Sequence, residues 1–204
     1  MQQALWASEP EILQLADANI RYQSVFLLDH QVLFEQLLES IEWQQDIIQM
    51  YGKSVAVPRL SAWYGDSNKD YHFSGLHLKP KPWTVLLDNF RKQLNEQLGC
   101  RFNSVLANYY RDGQDSVAWH SDDEPELGRQ PCIASLSLGA TRRFSLKHKQ
   151  TGQTAHIDLA GGSLLVMKGN TQHYWLHQVA KSKGCHLPRI NLTYRTIMTS
   201  GSSS

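Results

Sequence analysis

Two side chains that could bind a metal stand two residues apart near the middle of the chain. The segment NYYRDGQDSVAWHSDDEPE, at residues 108–126, contains His120 and Asp122. Residues i and i+2 of a strand project from the same face, so the imidazole and the carboxylate would lie side by side. A second imidazole would complete a 2-His-1-carboxylate triad, which binds Fe(II) and leaves coordination positions open. The spacing therefore predicts an iron-dependent oxygenase if another histidine joins this pair.

The candidate for the third ligand is His177, although the residues alone leave alternatives open. A His-x-Asp pair also occurs in solvated acidic loops, and His177 could be a hydrogen-bonded histidine in an aromatic strand. Other histidines compete for the position: His148, His156, His173 and His186.

Two arginines after His177 favour the oxygenase interpretation. A planar guanidinium binds a carboxylate through two parallel hydrogen bonds, and 2-oxoglutarate has carboxylates that Arg189 and Arg195 could bind. Either arginine could instead pair with an acidic side chain such as Asp158.

The composition is that of an ordinary globular protein. The chain has 204 residues, 41% of them apolar, which suffices for one well-buried core. A net charge of +1 argues neither for nor against a nucleic-acid partner. The three cysteines, Cys100, Cys132 and Cys185, are widely separated and suit reduced thiols. With no signal-peptide pattern and no membrane-length apolar stretch, we expect a soluble monomer, cytoplasmic or, in a eukaryote, nuclear.

Two helices are predicted in the first hundred residues. Asp29 could cap the first helix, and the PKP segment at residue 80 could open a second, which Gly99 would end. A short apolar strand is predicted at residues 25–28. Hairpins are predicted between residues 50 and 65, where glycine and proline interrupt short extended runs.

After residue 101 the helical period disappears and short strands alternate with turns. The predicted strands are 102–111, 116–120, 132–138, 142–148, 154–159, 163–168, 173–179 and 190–197. Two helices and about eight strands predict a mainly β (α+β) protein, a double-stranded β-helix (jelly roll) braced by two N-terminal helices. We expect a single domain over residues 1–199, made of an extension (1–100) and a jelly-roll core (101–199), with a disordered tail at 200–204.

Several segments resemble the AlkB family of Fe(II)/2-oxoglutarate dioxygenases, which dealkylate nucleic-acid bases. These segments are NYYRDG, WHSDDEPELG, IASLSLGATRRF and PRINLTYRT, and upstream VPRLSAWYGD and YHFSGLHLKPKPW resemble the vertebrate members that repair DNA and RNA. The resemblance covers residues 50–196, whereas residues 1–45 match poorly. It implies that Fe(II), 2-oxoglutarate and dioxygen are used to demethylate bases such as 1-methyladenine and 3-methylcytosine. The substrate would be DNA, with RNA as a second candidate, and the products formaldehyde, succinate and carbon dioxide, which is direct reversal of alkylation damage.

The resemblance also implies roles for individual residues. The catalytic iron ligands would be His120, Asp122 and His177. The 2-oxoglutarate contacts would be Asn108, Tyr110, Arg189, Asn191 and Arg195.

The substrate would be bound by residues outside this set. A nucleotide-recognition lid would stack the base on Tyr71 and Phe73, while Asp123 and Glu124 would favour a cationic base. The nucleic-acid finger and backbone contacts would be Met50, Tyr51, Gly52, Arg59, Lys181 and Lys183.

Three other functions share parts of this pattern. A 2-oxoglutarate oxygenase acting on a protein or a small molecule would have the same metal motif. A jelly-roll binding module would retain the fold without turnover. A zinc hydrolase could use the same three ligands, but it would give the two arginines no role.

Overall fold

The computed structural model describes residues 8–50, 52–67, 71–73 and 76–198. Within these residues the chain forms fifteen strands, two long helices and one short helix. None of the described helices is both long enough and apolar enough to cross a membrane.

Seven strands form the larger sheet, and every neighbouring pair in it is antiparallel. Their order is β1 (Glu11–Leu13), β2 (Asn19–Gln23), β13 (Leu164–Lys168), β10 (Ile133–Gly139), β15 (Arg189–Arg195), β8 (Ser104–Tyr110) and β5 (Leu60–Gly65). Strands that precede residue 100 form both edges of this sheet. β1 and β2 lie at one edge and β5 at the other, and the four strands between them, including the fully buried β15, come from later in the chain.

Four strands form the smaller sheet, which packs face to face with the larger one. Their order is β12 (Thr154–Leu159), β11 (Arg142–His148), β14 (Trp175–Val179) and β9 (Val117–His120). Buried apolar side chains fill the space between the sheets, among them Phe144 and Trp175 from the smaller sheet and Ile133 and Leu165 from the larger. Two facing antiparallel sheets are the expected jelly-roll architecture.

Two short hairpins lie outside these sheets. One pairs β3 (Ile47–Met50) with β4 (Lys53–Ala56), and the other pairs β6 (Tyr71–Phe73) with β7 (Leu76–Leu78). Met50 is opposite Lys53 in the first hairpin, and Gly52, which precedes Lys53, has φ +74°. Glycine adopts this left-handed conformation without steric cost. A hairpin was predicted from residue 50 onward, but β5 joins the larger sheet instead.

Helices α1 (His30–Ser40) and α2 (Val85–Leu98) cover the outer face of the larger sheet. Their apolar faces bury Phe34, Leu37, Leu87, Phe90 and Leu94 against that sheet. The hydroxyl of Tyr194, on β15, donates to the carbonyl of Leu87 at 2.9 Å. The helices therefore support the back of the strand that carries Arg189 and Arg195, which confirms the predicted fold class.

The helix ends differ from the predictions in detail. The first helix begins at His30, but the side chain of Asp29 makes no capping hydrogen bond. The second begins later than the PKP segment because Thr84 is its N-cap, its Oγ1 accepting from the backbone N–H of Leu87 at 3.3 Å. Gly99 ends this helix with φ +61°, as predicted.

Two strand predictions were wrong at particular residues. Residues 25–28 form no strand, because the N–H groups of Phe26 and Leu27 both donate to the carbonyl of Gly162 as the chain turns toward α1. The predicted strand at 173–179 begins only at residue 175. The two preceding residues belong to the short helix α3 (Thr171–Tyr174).

Candidate metal and co-substrate site

Two histidines face each other across the last pair of strands of the smaller sheet. His120, at the end of β9, is the register partner of His177 on β14, and their ring centroids are 4.2 Å apart. Nδ1 of His120 lies 2.9 Å from the carbonyl oxygen of Ala118. A carbonyl only accepts, so Nδ1 carries the proton and Nε2 is left unprotonated for a metal.

Asp122 lies just beyond the end of β9, and its carboxylate joins the two imidazoles. One nitrogen from each histidine and a carboxylate oxygen of Asp122 all lie within 4.8 Å of one another. Asp122 is 1% exposed and its backbone N–H donates to Oε1 of Gln172 at 2.9 Å. The chain thus brings the three predicted ligands together, and the amide of Gln172 orients one of them.

The protonation of these ligands suits metal binding. Burial raises the pKa of Asp122, but the positive charge of Arg195 and the electrostatic influence of the His177 and His120 imidazoles outweigh it and bring the pKa down to about 2. Burial, and then the proximity of the His120 imidazole, lower the pKa of His177 to about 3. At neutral pH Asp122 is therefore an anion and His177 a neutral imidazole, which are the protonation states that binding of a divalent cation requires.

The predicted 2-oxoglutarate residues lie on one face of two paired strands. Arg189 is the register partner of Tyr110, and Asn191 is the partner of Asn108. Alternate residues of β15 point into the cavity that the triad also lines, while Ile190, Leu192 and Tyr194 point toward the helices. The cavity is lined by the three triad residues and by all five predicted co-substrate residues, His120, Asp122, His177, Asn108, Tyr110, Arg189, Asn191 and Arg195.

Within the described part of the chain, the guanidinium of Arg189 has N–H donors inside this cavity that lack an acceptor. Its guanidinium is 1% exposed, and Nη2 donates to Oγ of Ser137 at 2.9 Å. Among the described residues, its Nε and Nη1 have no hydrogen-bond partner. A buried guanidinium with two unused donors is energetically costly unless an anion binds it. Arg189 therefore fits a carboxylate of 2-oxoglutarate.

Arg195 lies closer to the metal ligands than Arg189 does. Its Nη2 donates to Oδ1 of Asp122 at 2.8 Å, and both side chains are almost completely buried. This contact fixes the position of the Asp122 carboxylate. The two predicted carboxylate partners are thus differently placed, with Arg189 unpaired in part and Arg195 bonded to a metal ligand.

The charged side chains that line the cavity suit a metal cation and an anionic co-substrate, the two groups that the motif implies. Its lining contains three guanidiniums, those of Arg59, Arg189 and Arg195, and the single carboxylate of Asp122. Three ligands on one side leave coordination positions for a chelating co-substrate. The positive walls favour a dianion such as 2-oxoglutarate. Iron and 2-oxoglutarate therefore both fit the residues present.

Sequence reasoning missed several residues that support the site. Ser135 accepts from Nδ2 of Asn191 at 2.7 Å, and Ser137 accepts from Arg189. The available signal was the alternation of serine with apolar residues in IASLSLG, which places both hydroxyls on the cavity face. Gln172 gave no sequence signal, because it acts from a separate, short helix.

Arg59 requires a correction. The prediction that it tracks the phosphate backbone is wrong, because its side chain is buried (6% exposed) and its Nε donates to Oδ1 of Asn108 at 2.6 Å. Arg59 precedes β5, which pairs with β8. The sequence could not reveal this pairing of strands more than forty residues apart. Arg59 belongs to the cavity wall.

The other predicted substrate residues are placed as follows. Tyr51 lies outside the described residues, and only the backbone is described for Met50, Tyr71 and Phe73. Asp123 is exposed and bonds to Lys149 at 3.1 Å, at an open groove next to the triad. Glu124 precedes the 3-10 turn Pro125–Leu127 without capping it through its side chain. Lys181 and Lys183 are exposed.

Comparison with known proteins gives the same answer as the geometry. The sequence profile of the 2OG-Fe(II) oxygenase superfamily matches residues 28–195. The chain is 43% identical over 175 residues to "Alpha-ketoglutarate-dependent dioxygenase alkB homolog 3" of Bos taurus, which covers 81% of this chain and 60% of the relative. It is 40% identical over 177 residues to "DNA oxidative demethylase ALKBH2" of Homo sapiens, covering 81% of this chain and 68% of that protein.

A solved structure supports the fold. The structure described as "The structure of OsALKBH1" superposes with a TM-score of 0.61 at 14% identity, covering 92% of this chain and 100% of that one. The chain spans about 60% of the length of the alkB homolog 3 proteins it matches. Profile, sequence identity and the convergence of His120, Asp122 and His177 agree, and the chain belongs to the AlkB family of the 2OG-Fe(II) oxygenase superfamily.

Proposed function

We propose that this protein removes N-alkyl groups oxidatively from bases in DNA, with RNA as a second substrate, and so reverses alkylation damage directly. The observation that carries the proposal is the convergence of the His120, Asp122 and His177 side chains beside the partly unpaired Arg189 in one cavity. Relatives about 40% identical, one of them named a DNA oxidative demethylase, support the choice of a nucleic-acid base.

The residues of this chain would bind and orient the reacting groups. Iron with 2-oxoglutarate supplies the oxidation of an N-alkyl carbon by dioxygen. Arg189 would hold a carboxylate of the co-substrate, while Arg195 holds the carboxylate of Asp122 and Gln172 holds the backbone N–H of the same residue. The Phe144 ring stacks at 5.1 Å on His177 and keeps water from that imidazole.

The substrate would enter beside His120. His120 is partly exposed, with 25% of its side chain accessible, whereas Asp122 and His177 are buried. A base in a duplex must leave the stack to reach such a cavity. The carboxylates of Asp123 and Glu124, which directly follow Asp122 in the sequence, would favour cationic bases such as 1-methyladenine and 3-methylcytosine over neutral ones. The predicted roles of Tyr71 and Phe73 in stacking, and of Met50, Tyr51 and Gly52 as a wedge, belong to the same proposal.

We infer one catalytic domain over residues 1–199, acting as a monomer. Support comes from the larger sheet, which combines strands from both sides of residue 100. The first hundred residues would then be an extension that carries the substrate lid, and residues 101–199 the catalytic core.

A panel of methylated oligonucleotides tests the function. Single- and double-stranded DNA and RNA containing 1-methyladenine or 3-methylcytosine are incubated with the protein, Fe(II), 2-oxoglutarate and air. We expect formaldehyde and the restored base, detected by mass spectrometry, in equal amounts. Succinate release with a protein or small molecule, and none with any oligonucleotide, would contradict the proposed substrate while leaving the oxygenase chemistry intact.

Matched variants separate the metal site from general damage. His177→Gln removes a predicted ligand and should abolish turnover. His156→Gln changes an exposed histidine on β12 and should leave turnover unchanged. Tyr51→Ala and Phe73→Ala should lower oligonucleotide turnover. Wild-type turnover in both would show that the base pocket lies elsewhere.

A further inference from the structure

Two cysteines that are distant in sequence lie in contact away from the metal site. Cys100 follows Gly99 at the end of α2, and Cys132 immediately precedes β10. Their Sγ atoms are 2.7 Å apart, and the thiol of Cys100 points at Cys132. Both are free thiols, half-buried against the core between the helices and the larger sheet.

A disulfide needs only a small movement from this arrangement. The S–S bond is about 2.05 Å long, so the two sulfur atoms must approach by about 0.7 Å. Both residues flank regular elements rather than lying inside them, so their backbones can adjust without breaking a helix or a strand. The third thiol, Cys185, bonds instead to the carbonyl of Leu187 at 3.5 Å.

The surroundings of the pair contain a cation. The ammonium of Lys168 donates to the carbonyl of Leu98 at 3.1 Å, and its charge favours a thiolate at Cys132. Burial, and then the neighbouring Cys100, nevertheless raise the pKa of Cys132 to about 12. Burial therefore outweighs the charge of Lys168 and disfavours a thiolate at Cys132.

We propose that Cys100 and Cys132 form a site of reversible oxidation, at which a peroxide converts the two thiols into an intramolecular disulfide. One thiol of the pair first attacks the peroxide, the O–O bond of the peroxide breaks, and a sulfenic acid and water result. The sulfur of the second cysteine then attacks the sulfenic sulfur, so that the S–S bond forms and the S–O bond breaks. The departing hydroxide takes the proton of the second thiol and leaves as a second water. Two electrons and two protons pass from the thiols to the peroxide.

This bond would close a loop that contains much of the metal and co-substrate site. The two cysteines are 32 positions apart, and the chain between them carries Asn108, Tyr110, His120 and Asp122. Cross-linking the ends of such a loop reduces the freedom of the unfolded chain, which stabilises the fold. The inference depends on these side chains alone and not on the substrate proposed above.

Thiol counting and peptide mapping test the proposal directly. The full chain, metal-free to prevent iron-driven oxidation, is treated with a small excess of hydrogen peroxide and then with an alkylating agent. We expect three alkylatable thiols before treatment and one, Cys185, afterwards. The intact mass should fall by that of two hydrogen atoms, and non-reducing digestion should give one cross-linked peptide pair containing Cys100 and Cys132. The melting temperature should rise by about 5–10 °C and return after dithiothreitol.

Single substitutions provide the controls. Cys185→Ser should keep both the cross-link and the rise in melting temperature, whereas Cys100→Ser and Cys132→Ser should lose both. The thiol count of the wild type tests the formation of the disulfide even if a variant folds poorly. Three thiols that persist after peroxide, a cross-link to Cys185 or to a second chain, or sulfinic acid at one cysteine of the pair beside a free thiol at the other would each overturn the proposal.

Discussion

At the scale of single residues, the site is organised by hydrogen bonds that the motif does not contain. His120, Asp122 and His177 were predictable because their residue types are those of a known metal triad. The different positions of the two arginines were not, because both were simply guanidiniums on the same strand. The structure separates them by what they bond to, with Arg195 on Asp122 and Arg189 on Ser137.

Arg189→Gln tests the role given to the unpaired guanidinium. Losing one partner of a buried ionic contact costs about 2–5 kcal/mol, so the Kd for 2-oxoglutarate should rise by about 30- to 5,000-fold. The measurement is calorimetric titration with Mn(II) in place of iron. Arg143→Gln is the matched control, because Arg143 is an exposed arginine paired with Asp158. Equal affinities in wild type and Arg189→Gln would refute the assignment.

The low pKa of His177 predicts how the stability of the metal-free protein depends on pH. In the unfolded chain this imidazole takes up a proton near pH 6.5, whereas in the folded protein it stays neutral down to about pH 3. Its contribution to stability is therefore complete above pH 6.5 and is lost as the pH falls toward 3. Asp122, with its pKa lowered from 3.8 to about 2, adds a loss below pH 3.8.

Thermal unfolding of the metal-free chain between about pH 7 and about pH 4 measures this dependence. We expect the melting temperature to fall steadily as the pH is lowered. His177→Phe should have a flatter profile, and His156→Gln should follow the wild type. A wild-type profile without slope in this range would show that His177 is protonated as easily in the folded protein as in the unfolded one.

At the scale of elements, the strand pattern after residue 101 was largely readable, because alternation and turn residues mark each strand. The strands at 142–148 and 154–159 were predicted with the bounds that the structure has. Contacts between distant segments were not readable. The pairing of β5 with β8, which buries Arg59, and the contact of Cys100 with Cys132 depend on how the elements pack and leave no trace in local sequence.

The short helix α3 is predicted to support the metal site through one side chain. Gln172→Leu should remove the acceptor that holds the backbone N–H of Asp122 and weaken Co(II) binding by about 10- to 100-fold. Gln172→Glu retains an acceptor at this position and should bind the metal more tightly than Gln172→Leu. Gln130→Leu, which changes an exposed glutamine, serves as the control. Titration of the Co(II) absorption band gives each affinity, and wild-type binding by Gln172→Leu would exclude the role.

At the scale of the whole molecule, the helices stabilise the fold from the face opposite the site. Jelly-roll architecture was predictable from two helical segments followed by many short strands. How the helices attach was not, since it depends on contacts such as that of Tyr194 with Leu87. The apolar core between the helices and the larger sheet lies on one face of β15, and the cavity lies on the other. Substitutions in this core should therefore leave the cavity unchanged.

Leu94→Ala tests this separation. Leu94 is fully buried in α2, and its truncation should lower the free energy of unfolding by about 2–5 kcal/mol. Val85→Ala, on the same helix but at a position 81% exposed, should change it little. Denaturant unfolding measures both. Because the cavity is on the other face, the affinity of the folded Leu94→Ala protein for Co(II) should equal that of the wild type, and a large loss would contradict the separation.

The opposed histidines have a consequence for how the molecule holds together. Among the strands that the structure describes, β9 has a neighbour on one side only, so hydrogen bonds to β14 attach it to the smaller sheet. An ion bound by both His120 and His177 would add a second link between this edge strand and β14, besides their backbone hydrogen bonds. Loss of the ion should then loosen the strand first, with amide protons of residues 117–120 exchanging with heavy water sooner than those of the enclosed β10. The metal site would thus also stabilise the edge of the smaller sheet.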